Sequence, residues 1–333
     1  MLRTNLVVAA LLAATAAHAA GPIPLSDYTK PAQLVALPGG RKVNLLCMGQ
    51  GAPTVVLDAG WGSGIWSWSK VQPIVAETTR VCAFDRAGTG FSDEGPLPRD
   101  ARAIVKDERA LLKAAKIKAP YVLVGHSMAG LHVRLYASLY PKEVAGAVLV
   151  DPSNPHQDKR FADAAPVGSA LGEKISALTR GCAERMIAGA LKPGDPAFAT
   201  CFPPPLKIFP EDLRAVMTAR QGEAWRLKMQ RSEVDSMATT SSTDIDKTKR
   251  PLGDLPWIVL TAEGTGKGPP TPPEERAAMG QAWKAMHDEA AGLSTRGENR
   301  MVASGHSIQW EKPDVVAATI KEVVDAVRAK TAR

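Results

Sequence analysis

The stretch YVLVGHSMAGLHVRLYASLYP, residues 121–141, runs from strand-forming residues through a turn of small residues into a helical pattern. At its corner stands Ser127, within Gly125, His126, Ser127, Met128 and Ala129, with Gly130 one place later. A strand that reverses into a helix within a few residues leaves the corner residue in strained backbone geometry, its side chain proud of the sheet. Its neighbours two places away must then be small. The helix that follows aims its free N–H groups and positive dipole end at the same spot, where charge would develop if the serine attacked a carbonyl. Ser127 is therefore a candidate nucleophile.

Outward from this corner the chain alternates. Apolar strand-like runs begin at Thr54 (TVVLDAG), Arg80 (RVCAFDRAG) and Leu255 (LPWIVLTA), and another ends at Asp151 (VAGAVLVD). Helical patterns over 66–77, 101–116 and 127–140 separate them, and the alternation predicts an α/β fold: a mostly parallel sheet covered by helices on both faces. Two short strands around Pro38, Gly39 and Gly40 form a hairpin before it. A weaker strand precedes Gly305, and an amphipathic helix over 313–328 closes the chain. Residues 152–253, rich in Pro, Met and charge, interrupt the alternation and are too long for a simple loop. They read as a mainly helical lid inserted into a core of 20–151 and 254–333.

The composition is that of a folded globular chain: 333 residues, 45% hydrophobic and 23% charged. The formal charge of +7 is spread out, with no basic run interleaved with aromatic residues, so a nucleic-acid partner is not expected. The first residues, MLRTNLVVAALLAATAAHAAG, combine a basic residue, a short apolar run and the small-x-small triplet Ala17, His18, Ala19. That is the pattern of a signal peptide over 1–19, directing export to the periplasm or the extracellular space, and no later run could span a bilayer. In an oxidising compartment Cys182 and Cys201, both in one polar, loop-rich stretch, are expected to pair. No cysteine spacing matches a zinc motif, GTGKG (264–268) lacks the Ser or Thr of a phosphate loop, and GWGSG lacks dinucleotide spacing. No cofactor is implied.

Four segments, in order, resemble the α/β-hydrolase family: VVLDAGWGSGIWSW, RVCAFDRAGTGFSD, YVLVGHSMAG and VASGHSIQWEKPDVV. The resemblance covers nearly all of the chain after the leader. It implies an oxyanion hole made by the backbone N–H groups of Trp61 and Met128, and it implies Cys47 and Cys82 on adjacent strands, able to pair. One departure is Ala59, where many members carry histidine before the loop glycine.

A serine hydroxyl needs a base titrating near neutrality. His126, His132, His156 and His287 read as structural, the last on a charged helical face, whereas His306 follows a late strand at the position the resemblance assigns to the base. For the acid, most relatives use the loop after the seventh strand, which offers Glu263. Others, haloalkane dehalogenases among them, use the end of the sixth, which offers Asp151, and Asp151 is the preferred reading. Asp85 and Arg86 read as a buried pair or as fixing a turn, and Trp61, Trp66 and Trp68 as pocket lining or helix underpacking. The expected function is cleavage of a small-molecule carboxylic ester or lactone through Ser127, His306 and Asp151. The alternatives are a peptidase, amidase or acyltransferase on the same residues, or a hydrolase-fold binding protein without catalysis. Serine at the corner argues against dehalogenase or epoxide hydrolase chemistry, for which relatives use aspartate.

Overall fold

The computed structural model describes residues 25–205, 207, 209–266 and 271–331; the leader read at 1–19 and the Lys267–Gly268 end of GTGKG lie outside them. Eight strands form one sheet: β1 (Gln33–Ala36), β2 (Lys42–Met48), β3 (Thr54–Asp58), β4 (Val81–Phe84), β5 (Tyr121–His126), β6 (Val144–Val150), β7 (Trp257–Ala262) and β8 (Gly297–Val302). Their order is β1-β2-β4-β3-β5-β6-β7-β8. The β1–β2 and β2–β4 pairs are antiparallel and every other pair is parallel. Each strand expected from the sequence is present.

The inner strands are buried on both sides, and successive residues face opposite layers. Val56, Leu123, Leu149 and Val259 join one core with Val105, Leu112 and Leu135. Val55, Leu57, Val124, Val150 and Leu260 join the other with Val75, Ile320 and Val324. The covering helices are α1 (Gln72–Ala76), α2 (Ala101–Ala114), α3 (Ala129–Leu139) and, later in the chain, the helices over Arg276–Ala291 and Pro313–Thr331. Helix α2 buries Ile104, Val105, Glu108, Leu111 and Leu112, a stripe of helical period, and Asp100 caps its first turn by accepting from the Ala103 N–H at 2.8 Å. The pattern over 66–77 is two pieces, a 3-10 turn (Ile65–Trp68) and α1, because Pro73 can enter a first turn but has no N–H to continue an earlier helix.

Between β6 and β7 the chain forms α4 (Gln157–Ala164), α5 (Pro166–Ile187), α6 (Phe198–Cys201), α7 (Glu211–Arg220), α8 (Ala224–Ser236) and α9 (Ser242–Thr248). Helix α9 packs back on α3, with Ile245 in the sheet's own core. After β7 come α10 (Arg276–Ala291), α11 (Ile308–Glu311) and α12 (Pro313–Thr331). Helix α10 is the helix on whose charged face His287 was read, and Met279, Trp283, Met286, His287 and Ala290 recur along it at helical spacing and are buried. Among the described residues no helix is long and apolar enough to cross a membrane.

Both cysteine pairs are disulfide-bonded, Cys47 with Cys82 and Cys182 with Cys201. The first joins directly opposed residues of β2 and β4. The second ties the end of α5 to α6 across a sequence separation of 19. In the chain-entropy account a loop of that size stabilises by about 3 kcal/mol. Replacing both Cys182 and Cys201 by serine should therefore lower the urea midpoint without changing the far-UV spectrum, and an unchanged midpoint would show that the link constrains little in the unfolded chain.

Candidate active site

Strand β5 ends at His126, Ser127 turns with φ +54°, and α3 begins two residues later. A left-handed conformation is unfavourable for a residue with a side chain, and here the fold imposes it. The serine N–H donates to Val150 O at 3.0 Å, one rung beyond the β5–β6 ladder. The small neighbours are obligatory for a measurable reason. A Cβ on Gly125 would lie 2.6 Å from Ala129 O, and one on Gly130 would lie 2.3 Å from Pro152 Cβ. Ala129 fits as it stands, so the close-packed glycine of this turn is Gly130.

Asp151, the residue after β6, repeats the device: φ is +43° and its N–H donates to Leu260 O at 2.7 Å. Its carboxylate is completely buried. One oxygen accepts from the Ala262 N–H and the Trp283 indole N–H, both at 2.8 Å; the other accepts from the Thr265 hydroxyl at 2.5 Å and faces His306 Nδ1 at 2.6 Å. Burial alone would raise this carboxyl's pKa, but the bonds and charge of His306 and the Thr265 hydroxyl outweigh it and hold the group below the ordinary value. Glu263 is exposed and gives its backbone N–H to Val302 O. Of the two carboxylates read from the sequence, Asp151 is the one on the histidine.

His306 arrives on the loop after β8, and its Nε2 lies 2.9 Å from Ser127 Oγ. The three side chains read separately in the sequence thus form one hydrogen-bonded chain, Ser127–His306–Asp151. The loop is pinned from below by His126, whose Nε2–H donates to His306 O at 3.0 Å. Burial, then the nearby His306, depress the His126 pKa to about 3, so this ring is neutral. His287 corrects the reading of a charged surface face. It is fully buried, bridges the Thr261 hydroxyl and Pro152 O at 2.6 and 2.9 Å, and burial depresses its pKa to about 4. Its ring also stacks on Trp283, 4.4 Å between centroids. Trp283 and Thr265 were missed from sequence; the burial period of α10 was the available signal for Trp283.

The loop carrying Trp61 lies against the serine: a Cβ on Gly60 would come 3.2 Å from Ser127 Cβ. Met128 stands at the cap of α3. Asp85 fixes the turn after β4, accepting from the Ile65 and Phe91 N–H groups at 2.7 and 2.9 Å, while Arg86 is buried between Asp58 and Glu233. His132 sits at 2.7 Å from Asp58 and His156 at 2.6 Å from Asp246, both away from the serine. Trp68 is core. Trp61 and Trp66 line a cavity of about 1210 Å³ that runs beneath α5, α7 and α8, with Phe161, Phe202, Leu227 and Met279. Among the described residues no group of three His, Cys, Asp or Glu side chains could hold a metal ion.

Residues 53–171 match the family described as the alpha/beta hydrolase fold. The uncharacterized protein YqjL of Bacillus subtilis is 25% identical over 276 residues, 83% of this chain and 85% of that one. Among solved structures, a thermophilic esterase from Thermogutta terrifontis superposes with a TM-score of 0.58 at 22% identity, covering 89% of this chain and 99% of the other. A haloalkane dehalogenase loop variant from Bradyrhizobium elkanii gives 0.67 at 18% identity, covering 90% and 98%. The chain has the α/β-hydrolase fold, and at these identities the structural likeness speaks for the fold alone.

Two buried neutral histidines carry a pH consequence. Each binds its proton less tightly folded than unfolded, where the value is 6.5, so the unfolded state gains protons first as pH falls. Stability should decline from about pH 6.5 downward, by up to about 1.4 kcal/mol per pH unit for each ring. Asp151 adds to this lower down: its stabilisation is complete above 3.8 and is lost as pH falls through its lower folded value. In urea titrations between pH 7 and 5, His287→Gln should show a shallower slope than the parent; parallel slopes would mean that His287 is not held neutral.

Proposed function

We propose that this protein is an exported serine hydrolase that cleaves a carboxylic ester or lactone through an acyl-enzyme. The observation that carries the reading is the unbroken chain from Ser127 Oγ through both His306 nitrogens to the buried Asp151. His306 Nε2 takes the hydroxyl proton as Oγ attacks the carbonyl carbon, and the carbonyl π pair moves onto oxygen. The Asp151 carboxylate keeps the Nδ1 proton facing it and stabilises the imidazolium that results. The N–H groups of Trp61 and Met128 receive the oxyanion. Collapse expels the alcohol, which takes the proton from His306, and water repeats the sequence to release the acid.

The helices α4–α8 act in this reading as a lid over the cavity, whose lining reaches the loop at Trp61 without including Ser127 or His306, and whose apolar part, with Trp66, Phe161, Phe202 and Leu227, suits the hydrophobic part of an ester. The two disulfides fit an oxidising compartment.

A fluorophosphonate probe should label the parent protein at Ser127, and Ser127→Ala should abolish both labelling and ester turnover while leaving the fold intact. Asp151→Asn should depress kcat by a factor of order 10⁴, as loss of the orienting charge does in a serine protease. Glu263→Gln should change it little, and the reverse ranking would transfer the acid to the loop after β7. A panel of esters, lactones and amides of graded acyl length separates esterase from amidase action.

A further inference from the structure

We infer that Arg86, held by Glu233, is the positioning residue of the oxyanion hole; the inference rests on the serine-hydrolase reading above. Arg86 sits in the turn after β4, with its guanidinium almost wholly buried. All five of its N–H donors have acceptors. Nη1 donates to Asp58 Oδ1 at 2.6 Å and Ala59 O at 2.5 Å; Nη2 donates to Gly60 O and Glu233 Oε2, both at 3.0 Å; Nε donates to Glu233 Oε1 at 3.1 Å. Burial alone would weaken the charge, but Glu233 and Asp58 outweigh it and keep the guanidinium protonated.

Two of those acceptors are backbone carbonyls of the loop that carries Trp61. Gly60 O and the Trp61 N–H belong to one peptide unit, which is trans and planar, so the N–H points opposite to the carbonyl. Holding the oxygen on Arg86 therefore fixes the direction of the N–H. Gly60 O also accepts the Ser63 N–H at 3.2 Å, but Gly60 begins the unit, Gly62 at φ +69° follows Trp61, and Ala59 offers no side-chain bond, so Arg86 supplies the charged hold on it. The far side of the same loop packs on the nucleophile's turn, a Cβ on Gly60 lying 2.9 Å from His126 Nδ1.

Glu233 belongs to α8, and the same helix grips the loop a second time. Gln230 O accepts the Trp61 indole N–H at 2.8 Å. The helix thus supports the oxyanion donor as well as covering the cavity, and a change in its seating would alter the chemical step. Only a planar fork reaches this set of acceptors at once, so lysine cannot replace Arg86.

A merely structural ion pair and a positioning role differ in what they move. The test uses the full-length parent, Glu233→Gln, which preserves volume and one acceptor, and Arg86→Lys. Far-UV spectra and melting temperatures establish the fold. Rates of fluorophosphonate labelling are normalised to sites titrated at completion, and kcat and KM are measured on p-nitrophenyl butyrate and its thionoester. Removing one oxyanion donor outright costs about 10²–10³ in kcat. Misorienting it should cost about 10-fold in Glu233→Gln and about 100-fold in Arg86→Lys, with KM within about 2-fold of the parent. The loss should shrink on the thionoester, whose sulfur accepts hydrogen bonds poorly. Labelling of the parent together with unchanged kcat in both variants, or equal losses on both substrates, overturns this inference and leaves the hydrolase reading standing. No labelling of the parent overturns that reading and this inference with it.

Discussion

Parallel pairing of β5, β6 and β7 is the constraint on which the site depends. In a parallel sheet every strand delivers its carboxyl end to the same edge, and neighbours stand about 4.8 Å apart. Ser127 and Asp151 each bond one rung beyond their own strand, to Val150 O and Leu260 O, and each then turns through a left-handed conformation. The separation of nucleophile and acid is thus a property of the ladder rather than of either loop. His306 comes from the far side of β7, on β8, whose register sets Ala262 against Val302. Slipping any of these strands by one residue would carry the side chain beyond it to the other face of the sheet.

Asp151 and Arg86 are buried and fully engaged. Asp151 has three donors besides His306, and Arg86 has an acceptor for each of its N–H groups. Desolvating such charges is expensive, and a buried pair returns little net stability even when its geometry is good. What the fold gains is position. Trp283 and Thr265 fix Asp151 from two directions, His126 fixes the backbone of His306 from below, and neither task tolerates a mobile side chain.

The chain between β6 and β7 joins these groups to the rest of the molecule. It carries its own disulfide, encloses most of an apolar cavity, and sends Glu233 and Gln230 to the loop of Trp61. Its last helix, α9, returns to the sheet's core through Ile245. The segment is therefore tied to the sheet at both the polar edge and the hydrophobic layer.

Local pattern was enough for much of this. The inner strands β3 to β7 were legible because buried parallel strands are continuous apolar runs, β1 and β2 because of the hairpin turn between them, and the corner at Ser127 because small residues at fixed offsets answer a steric demand within one turn. Asp151 stood out as a polar residue directly after a strand, and His306 through the resemblance of its loop to the family's terminal histidine loop. The choice between Asp151 and Glu263 was not local, because it turns on which strand end faces the histidine loop, and that depends on strand order. Trp283 and Thr265 escaped for the same reason: nothing in the sequence around them says which carboxylate they will meet. Arg86 and Glu233 lie 147 positions apart, and only folding α8 over the loop of Trp61 brings them together. Sequence by itself determined the elements and the reactive residue types, since those follow from side-chain period and backbone sterics. Tertiary structure decided the partners of each buried polar group, since a hydrogen bond between distant segments exists only once the sheet has set their distance.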